Sequence, residues 1–150
     1  MGWKFFSKIY CISVRERTDR QIEAKCQFAA VGLSDLVEFF FVEKGKDPED
    51  IEKCIYESHM ACIQKGLDTG ARQILIFEDD IIFDRFDPEK LEASIRFLQS
   101  KPEWKILLLG SLVKGLRPTG VKAVMKAKYR SLSHAYALNR DFAKEIVKIP

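Results

Sequence analysis

The chain has 150 residues, 47% of them apolar and 31% charged, and a formal net charge of +3. That length suits one domain, residues 1–150, burying about two-thirds of the surface its unfolded chain exposes. The ordinary charge balance excludes disorder and gives no footing for a nucleic-acid partner.

Tyr10–Val14 reads as a first strand, short and mostly apolar. Thr18 and Gln21 fit a capping box that opens a helix, with Ile22, Cys26, Ala29, Ala30 and Leu33 along one face and Gly32 at its fraying end. Val37–Val42, dense in Phe and Val, reads as a second strand. Asp47-Pro48 is a helix start, a capping carboxylate followed by proline at the first helical position. This helix is expected to run to about Leu67 on an inner stripe of Ile51, Cys54, Ile55, Ser58, Cys62 and Ile63, with Gly66 and Gly70 as its stop. Gln73–Phe77 is a buried strand running into Glu78-Asp79-Asp80, and Asp87-Pro88 repeats the helix-start device ahead of Leu91, Ile95 and Leu98. Lys105–Leu109 is a further apolar strand, closed by Gly110-Ser111. Gly115 to Gly120 reads as a loop, Val121–Lys126 and Ser133–Leu138 as weaker strands, and Asn139 as the cap of a last helix from Arg140 to about Lys148. This alternation predicts an α/β fold with a mainly parallel sheet and helices on both faces.

The apolar runs, such as Ile74–Phe77 and Ile106–Leu109, fall far short of the roughly 20 residues of a membrane span, so any membrane contact is peripheral at most. Lys4 and Lys8 break up the N-terminal stretch, which has no secretory cleavage site, and Phe6 occupies the position where myristoylation wants Ser or Thr. Cys11, Cys26, Cys54 and Cys62 make no C-x-x-C pair. They read as reduced, small, buried side chains, and the expected compartment is the cytosol.

The most informative stretch is Glu78-Asp79-Asp80, three acids at the end of a buried strand. In an open α/β sheet, ligands bind in the crevice beyond the carboxyl ends of the strands. If the triplet stays extended, Glu78 and Asp80 project to one side, about 6–7 Å apart at their backbones, and Asp79 to the other. Three neighbouring carboxylates repel one another, and a hard divalent cation, Mg²⁺ or Mn²⁺, would satisfy all three. A solvated acidic turn is the plain alternative. The string also looks like the opening of a bacterial response-regulator receiver domain, but the chain has no Asp between Asp87 and Asp141 to serve as the phosphoacceptor.

Four ordered segments resemble glycosyltransferase family 25, the lipopolysaccharide and procollagen galactosyltransferase-like enzymes of the GT-A fold. Ile9–Val14 with Arg15, Arg17, Asp19 and Arg20 looks like the family's opening strand and arginine-bearing turn. Ser58-His59 looks like its Ser-His pair, Leu75–Asp80 like its acidic motif, and Ala135–Arg140 with Ala143-Lys144 like its tyrosine strand and following helix. The chain departs from the pattern where Ser13 replaces an Asn, where the Gly-Cys before Ser-His is absent, and where it stops at Pro150 ahead of an acceptor-side segment.

The resemblance implies a GT-A-like nucleotide-sugar-binding fold, truncated at the C-terminus. It implies transfer of a sugar, galactose in the first instance, from a UDP-sugar to a hydroxyl of a glycan or lipopolysaccharide acceptor, with inversion and with Mn²⁺ or Mg²⁺. Asp80 would be the main metal ligand, with Glu78 or Asp79 as the second ligand or as the holder of ribose, and Asp84 as a further helper. Ser13, Arg15 and Arg20, with Arg17 beside them, would meet the nucleotide, whose phosphates suit arginine's planar fork. The bland alternative for Arg20 is an ion pair with Glu16 or Glu23. Ser58 and His59 would shape the donor pocket, although a helical His is also a common packing residue, and His134 beside Tyr136 reads as structural. Asp141 and Glu145 are acids without a stated place near the reaction, and the general base stays unassigned. A non-catalytic relic that keeps the fold, or an unrelated α/β protein with a chance acidic turn, are the rival readings.

Overall fold

The computed structural model describes residues 2–45 and 48–149; of Pro48, residues 110–114 and residues 128–133 it describes the backbone alone. A 3₁₀ turn at Gly2–Phe5 leads into β1 (Lys8–Val14), α1 (Thr18–Ala30) and β2 (Val37–Val42). After a second 3₁₀ turn at Pro48–Asp50 come α2 (Ile51–Asp68), β3 (Gln73–Glu78) and α3 (Pro88–Ser100). The chain closes with β4 (Ile106–Pro118), β5 (Met125–Asn139) and α4 (Arg140–Ile146).

The fold is α/β with helices on both faces of a five-stranded sheet of order β2-β1-β3-β5-β4. The sheet is mixed, which corrects the expectation of a mainly parallel one. β1 runs parallel to both β2 and β3, while β5 is antiparallel to β3 and to β4. The reason lies in the last third of the chain. β4 continues through Gly110 and Gly115 to Pro118, and β5 starts at Met125. Strands joined by so short a connection pair antiparallel, because a parallel return needs a crossover of a dozen residues or more. The glycines, expected to break the strand, coincide instead with shifts in the β4–β5 register, as bulges do. The predicted strand at Val121–Lys126 is for the most part the turn between them.

Strict alternation along the central strands sorts the core into two layers. Ile9, Cys11, Leu75, Phe77, Ala135 and Ala137 face Phe28 of α1 and Leu91 and Ile95 of α3. Tyr10, Ile12, Ile74, Ile76, Tyr136 and Leu138 face Cys62, Ile63 and Leu67 of α2 and Ala143 of α4. Both faces of β1 and β3 are therefore covered, as their continuous apolar sequences require.

Local rules fix the helices, with four corrections. α1 starts at Thr18 after Arg17, and no side-chain cap bond is made, so the predicted capping box is not formed. Its buried face is Ala24 and Phe28, while Ile22 and Cys26 point outward. The bulkiest apolar side chain, Phe28, claims the sheet, and the residues at that helical phase follow it. In α2 the expected stripe holds only in the second half: Cys62, Ile63, Gly66 and Leu67 are buried, whereas Ile51 and Ile55 are exposed. Gly66 is a packing residue rather than a stop, because a Cβ there would lie 2.7 Å from Cδ1 of Ile74. Gly70, at φ +81°, takes the left-handed conformation that ends the helix. Asp47 lies outside the described residues, and Asp50 caps α2 without a side-chain bond.

The other helix starts follow expectation. Asp87 accepts a hydrogen bond from the Glu89 amide at 2.9 Å with Pro88 in the first turn, and Asn139 accepts from the Asp141 amide at 3.0 Å. All four cysteines are free thiols; Cys11 and Cys62 are buried, Cys54 half-buried and Cys26 exposed, the last against expectation. Among the described residues no helix is long and apolar enough to cross a membrane.

Candidate metal centre

The three parallel strands end together, and β1 lies between β2 and β3. The chain thus leaves β1 to one side for β2 and returns on the other side for β3, which makes the β1–β3 boundary a switch point of the kind that opens a ligand crevice. Ile12 pairs with Glu78, so Ser13 comes beside Asp79. On the far side of β3 the antiparallel register runs through Phe77 and Ala135, which carries His134 opposite Glu78.

Glu78 and Asp80 converge on His134. Nδ1 of His134 lies 3.5 Å from Oε2 of Glu78 and 3.4 Å from Oδ1 of Asp80. One ligand atom from each of the three residues lies within 4.8 Å of the others, and all three side chains keep an opening to solvent. Nδ1 is itself buried and has no hydrogen-bond partner despite the two nearby carboxylates. That orphaned nitrogen tests the fit of a cation. Adjacent corners of a coordination sphere with bonds of about 2.1 Å are about 3 Å apart, close to the spacing seen, and the ion would satisfy the nitrogen. The set is two carboxylates and one imidazole, and the nitrogen favours Mn²⁺ over oxygen-seeking Mg²⁺.

Asp79 points elsewhere: β3 ends at Glu78 and Asp79-Asp80 form a turn closed by the Ile81 amide on the Glu78 carbonyl, so the triplet does not stay extended and the turn, not strand alternation, separates Asp79 from its neighbours. Its side chain is buried, Oδ2 accepts from the Ser13 hydroxyl at 2.7 Å, and Oδ1 pairs with Nη1 of Arg20 at 3.3 Å. Gln21 continues this network by donating to Ser13 Oγ and to the carbonyls of Val14 and Arg15. Asp79 therefore ties the start of α1 to the strand ends and stands outside the three-residue cluster. Arg20 pairs with Asp79 and not with Glu16 or Glu23.

Glu78 is held from a second direction by α2. Nε2 of His59 lies 3.1 Å from Oε1 of Glu78, and Nδ1 of the same ring lies 2.6 Å from the Tyr136 hydroxyl. The His59 and Tyr136 rings stack with centroids 5.6 Å apart. Burial pushes the Glu78 carboxyl up, but the hydrogen bond from His59 and the nearness of both imidazoles outweigh it and hold the group below its ordinary value. Ser58 turns its hydroxyl back onto the Cys54 carbonyl at 2.8 Å.

Two clefts flank the cluster. The first, of about 400 Å³, has apolar walls that include Ile12, Val42, Ile51 and Ile55, and polar ones that include Arg17, Arg20, Ser58, His59 and Glu78. The second, of about 640 Å³, is reached by Asp80 and His134 and bounded by Phe83, Phe86, Asp84 and Lys90. Arg15, expected at the nucleotide, does not line the first cleft: it bonds Glu43, at the cleft's edge, at 3.0 Å and lies over the Phe41 ring. Arg17 lines the cleft and makes a two-pronged pair with Asp19. Asp84 lines the second cleft with Asp80 and His134 and is not a member of the three-residue cluster. Asp141 and Glu145 are on α4, which follows Asn139; that residue pairs with Gln73 at the start of β3, so both acids belong to the opposite end of the sheet.

Sequence reasoning named His134 but read it as structural; the structure brings it beside Glu78 and Asp80. The only signal for it was the antiparallel pairing of β5 with β3, which puts a residue two before Tyr136 across from Glu78. No protein-family model and no curated protein sequence matches the chain.

Proposed function

We propose that the chain is the nucleotide-sugar-binding core of a metal-assisted, inverting glycosyltransferase of the GT-A type, similar to glycosyltransferase family 25. The observation that carries the reading is the meeting of Glu78, Asp80 and His134 at a switch-point crevice, with an apolar-walled, arginine-bearing cleft beside them. In this reading Glu78, Asp80 and His134 hold Mn²⁺, or Mg²⁺ less well. The bound cation supplies Lewis acidity against the charge of the departing nucleoside diphosphate.

The first cleft takes the UDP-sugar donor, galactose being the sugar the family likeness suggests. Its apolar walls suit a flat base, and Arg17 and Arg20 at its polar end suit phosphate oxygens. Ser13 acts through Asp79, fixing Arg20, and Ser58 and His59 form the wall nearest the cluster. The second cleft opens on the same ridge and takes the acceptor hydroxyl of a glycan or lipopolysaccharide. The cytosol is the compartment this assignment favours.

A second reading has its own observation. Asp141 and Glu145, the acids left open as bases, are at the wrong end of the sheet, and an inverting transfer needs a base within about 3 Å of the acceptor proton. A binding module that holds the nucleotide sugar without turning it over is therefore the alternative.

Calorimetry with Mn²⁺ and UDP on the wild type and on Asp80→Ala tests the proposal. UDP binding that requires Mn²⁺ and is lost in Asp80→Ala supports it, and no UDP binding in the presence of Mn²⁺ removes it. Release of sugar from UDP-galactose separates the enzyme from the binding module.

A further inference from the structure

We infer that Tyr136 and His59 form a two-member relay that presets Glu78 for the cation: the phenol donates to Nδ1 of His59, the imidazole proton is thereby kept on Nε2, and Nε2–H donates to Oε1 of Glu78 while Oε2 faces His134. The inference rests on the metal reading above and names residues that act on the centre from outside it.

For the neutral ring, the hydrogen-bond inventory fixes the direction of the chain. An ionised carboxylate accepts and never donates. At 3.1 Å from Oε1, Nε2 must carry the proton, or two sets of lone pairs would face each other. Neutral imidazole has one N–H, so Nδ1 is an acceptor, and the 2.6 Å contact with Tyr136 is O–H···N. The opposite tautomer would satisfy Tyr136 but set Nε2 against Glu78.

The surroundings hold the ring in place. The His59 side chain is only 13% exposed, Tyr136 is buried, and the two rings stack. The three residues come from α2, β3 and β5, so the relay spans the seam at which the parallel and antiparallel parts of the sheet meet. Outer partners that fix a ligand's orientation typically change metal affinity by 10–100-fold when removed. Tyr136 and His59 are positioning residues: neither reaches the cation.

A double-mutant cycle on the full chain tests this, with Mn²⁺ affinity read by calorimetry at pH 8. Tyr136→Phe is expected to weaken Mn²⁺ binding about 10-fold in the wild-type background. In His59→Gln the amide can donate to Glu78 without help from the phenol, so adding Tyr136→Phe there is expected to change affinity by less than about twofold. Equal losses in both backgrounds, or no loss in either, overturn the relay. ¹⁵N NMR of the metal-free wild type at pH 8 is an independent measurement, and a proton on Nδ1 of His59, or on both nitrogens, also overturns it. A wild type that fails to bind Mn²⁺ sinks the metal reading together with the relay. A wild type that binds, with an indifferent Tyr136→Phe, sinks the relay alone.

Discussion

Asp79 and Asp80 are neighbours in sequence and differ in surroundings, and on the proposed function removing each in turn should give crossed results. Asp79→Ala strips the buried Ser13 hydroxyl of its 2.7 Å acceptor and frees Arg20. Stranding a buried polar group costs about 1–3 kcal/mol. The Arg20 side chain is 43% exposed, so its ion pair with Asp79 is screened and contributes at most about 1 kcal/mol. The sum is a loss of about 1–4 kcal/mol, with the three cluster residues left in place. Asp80→Ala removes an exposed carboxylate that stands near Glu78, and stability should stay within about 0.5 kcal/mol of wild type. Urea unfolding gives the stabilities and Mn²⁺ calorimetry gives the affinities. Asp79→Ala should be less stable yet still bind the ion once folded, and Asp80→Ala should be stable yet fail to bind. The reverse pattern would refute the division drawn here between a structural carboxylate and a metal-holding one.

Three further outcomes are expected. Gly66→Ala gains about 1 kcal/mol of helix propensity but forces a methyl to 2.7 Å from the fully buried Ile74, an overpacking cost of about 1–3 kcal/mol; urea titration should show a net loss, much reduced when Ile74→Val removes the clashing carbon. Ionised Glu78 has a folded pKa below its unfolded one, so its stabilisation is full above about pH 4.3 and is lost as pH falls through the lower folded value; Glu78→Gln should be less stable than wild type at pH 7, and unfolding curves at acid pH should show that gap closing. A thiol reagent should modify exposed Cys26 first and Cys54 more slowly. Burial pushes the Cys62 thiol up to about 12 and Cys11 higher still, so these two should react only on unfolding, and fast labelling of either in the folded chain would contradict the core described here.

The order and type of the elements were legible because each rests on local rules: apolar runs for β1 and β3, Asp-Pro for α3, Asn139 for α4. The split of Glu78 and Asp80 from Asp79 matches what an extended triplet would give, but a turn after Glu78 makes it, and that turn was not legible. What escaped depends on distant pairing. The direction of β5 follows from its hairpin with β4, and the glycines of β4 masked that strand's length. His134 enters the centre only through the Phe77–Ala135 register. The phase of α1 was misread because Ile22 and Cys26 offer a plausible stripe, and only the competing bulk of Phe28 against the sheet decides between them.

The cluster draws its members from two strands that are remote along the chain and adjacent in space. An ion bridging them would act as a removable clasp between the strand that ends the parallel half and the second strand of the closing hairpin. Such a clasp exists only in the native fold, so at a hundredfold excess over its dissociation constant it would add about 2.7 kcal/mol to the resistance of the whole molecule. The melting temperature would then serve as a gauge of cation supply, rising with dose and falling back when a chelator is added.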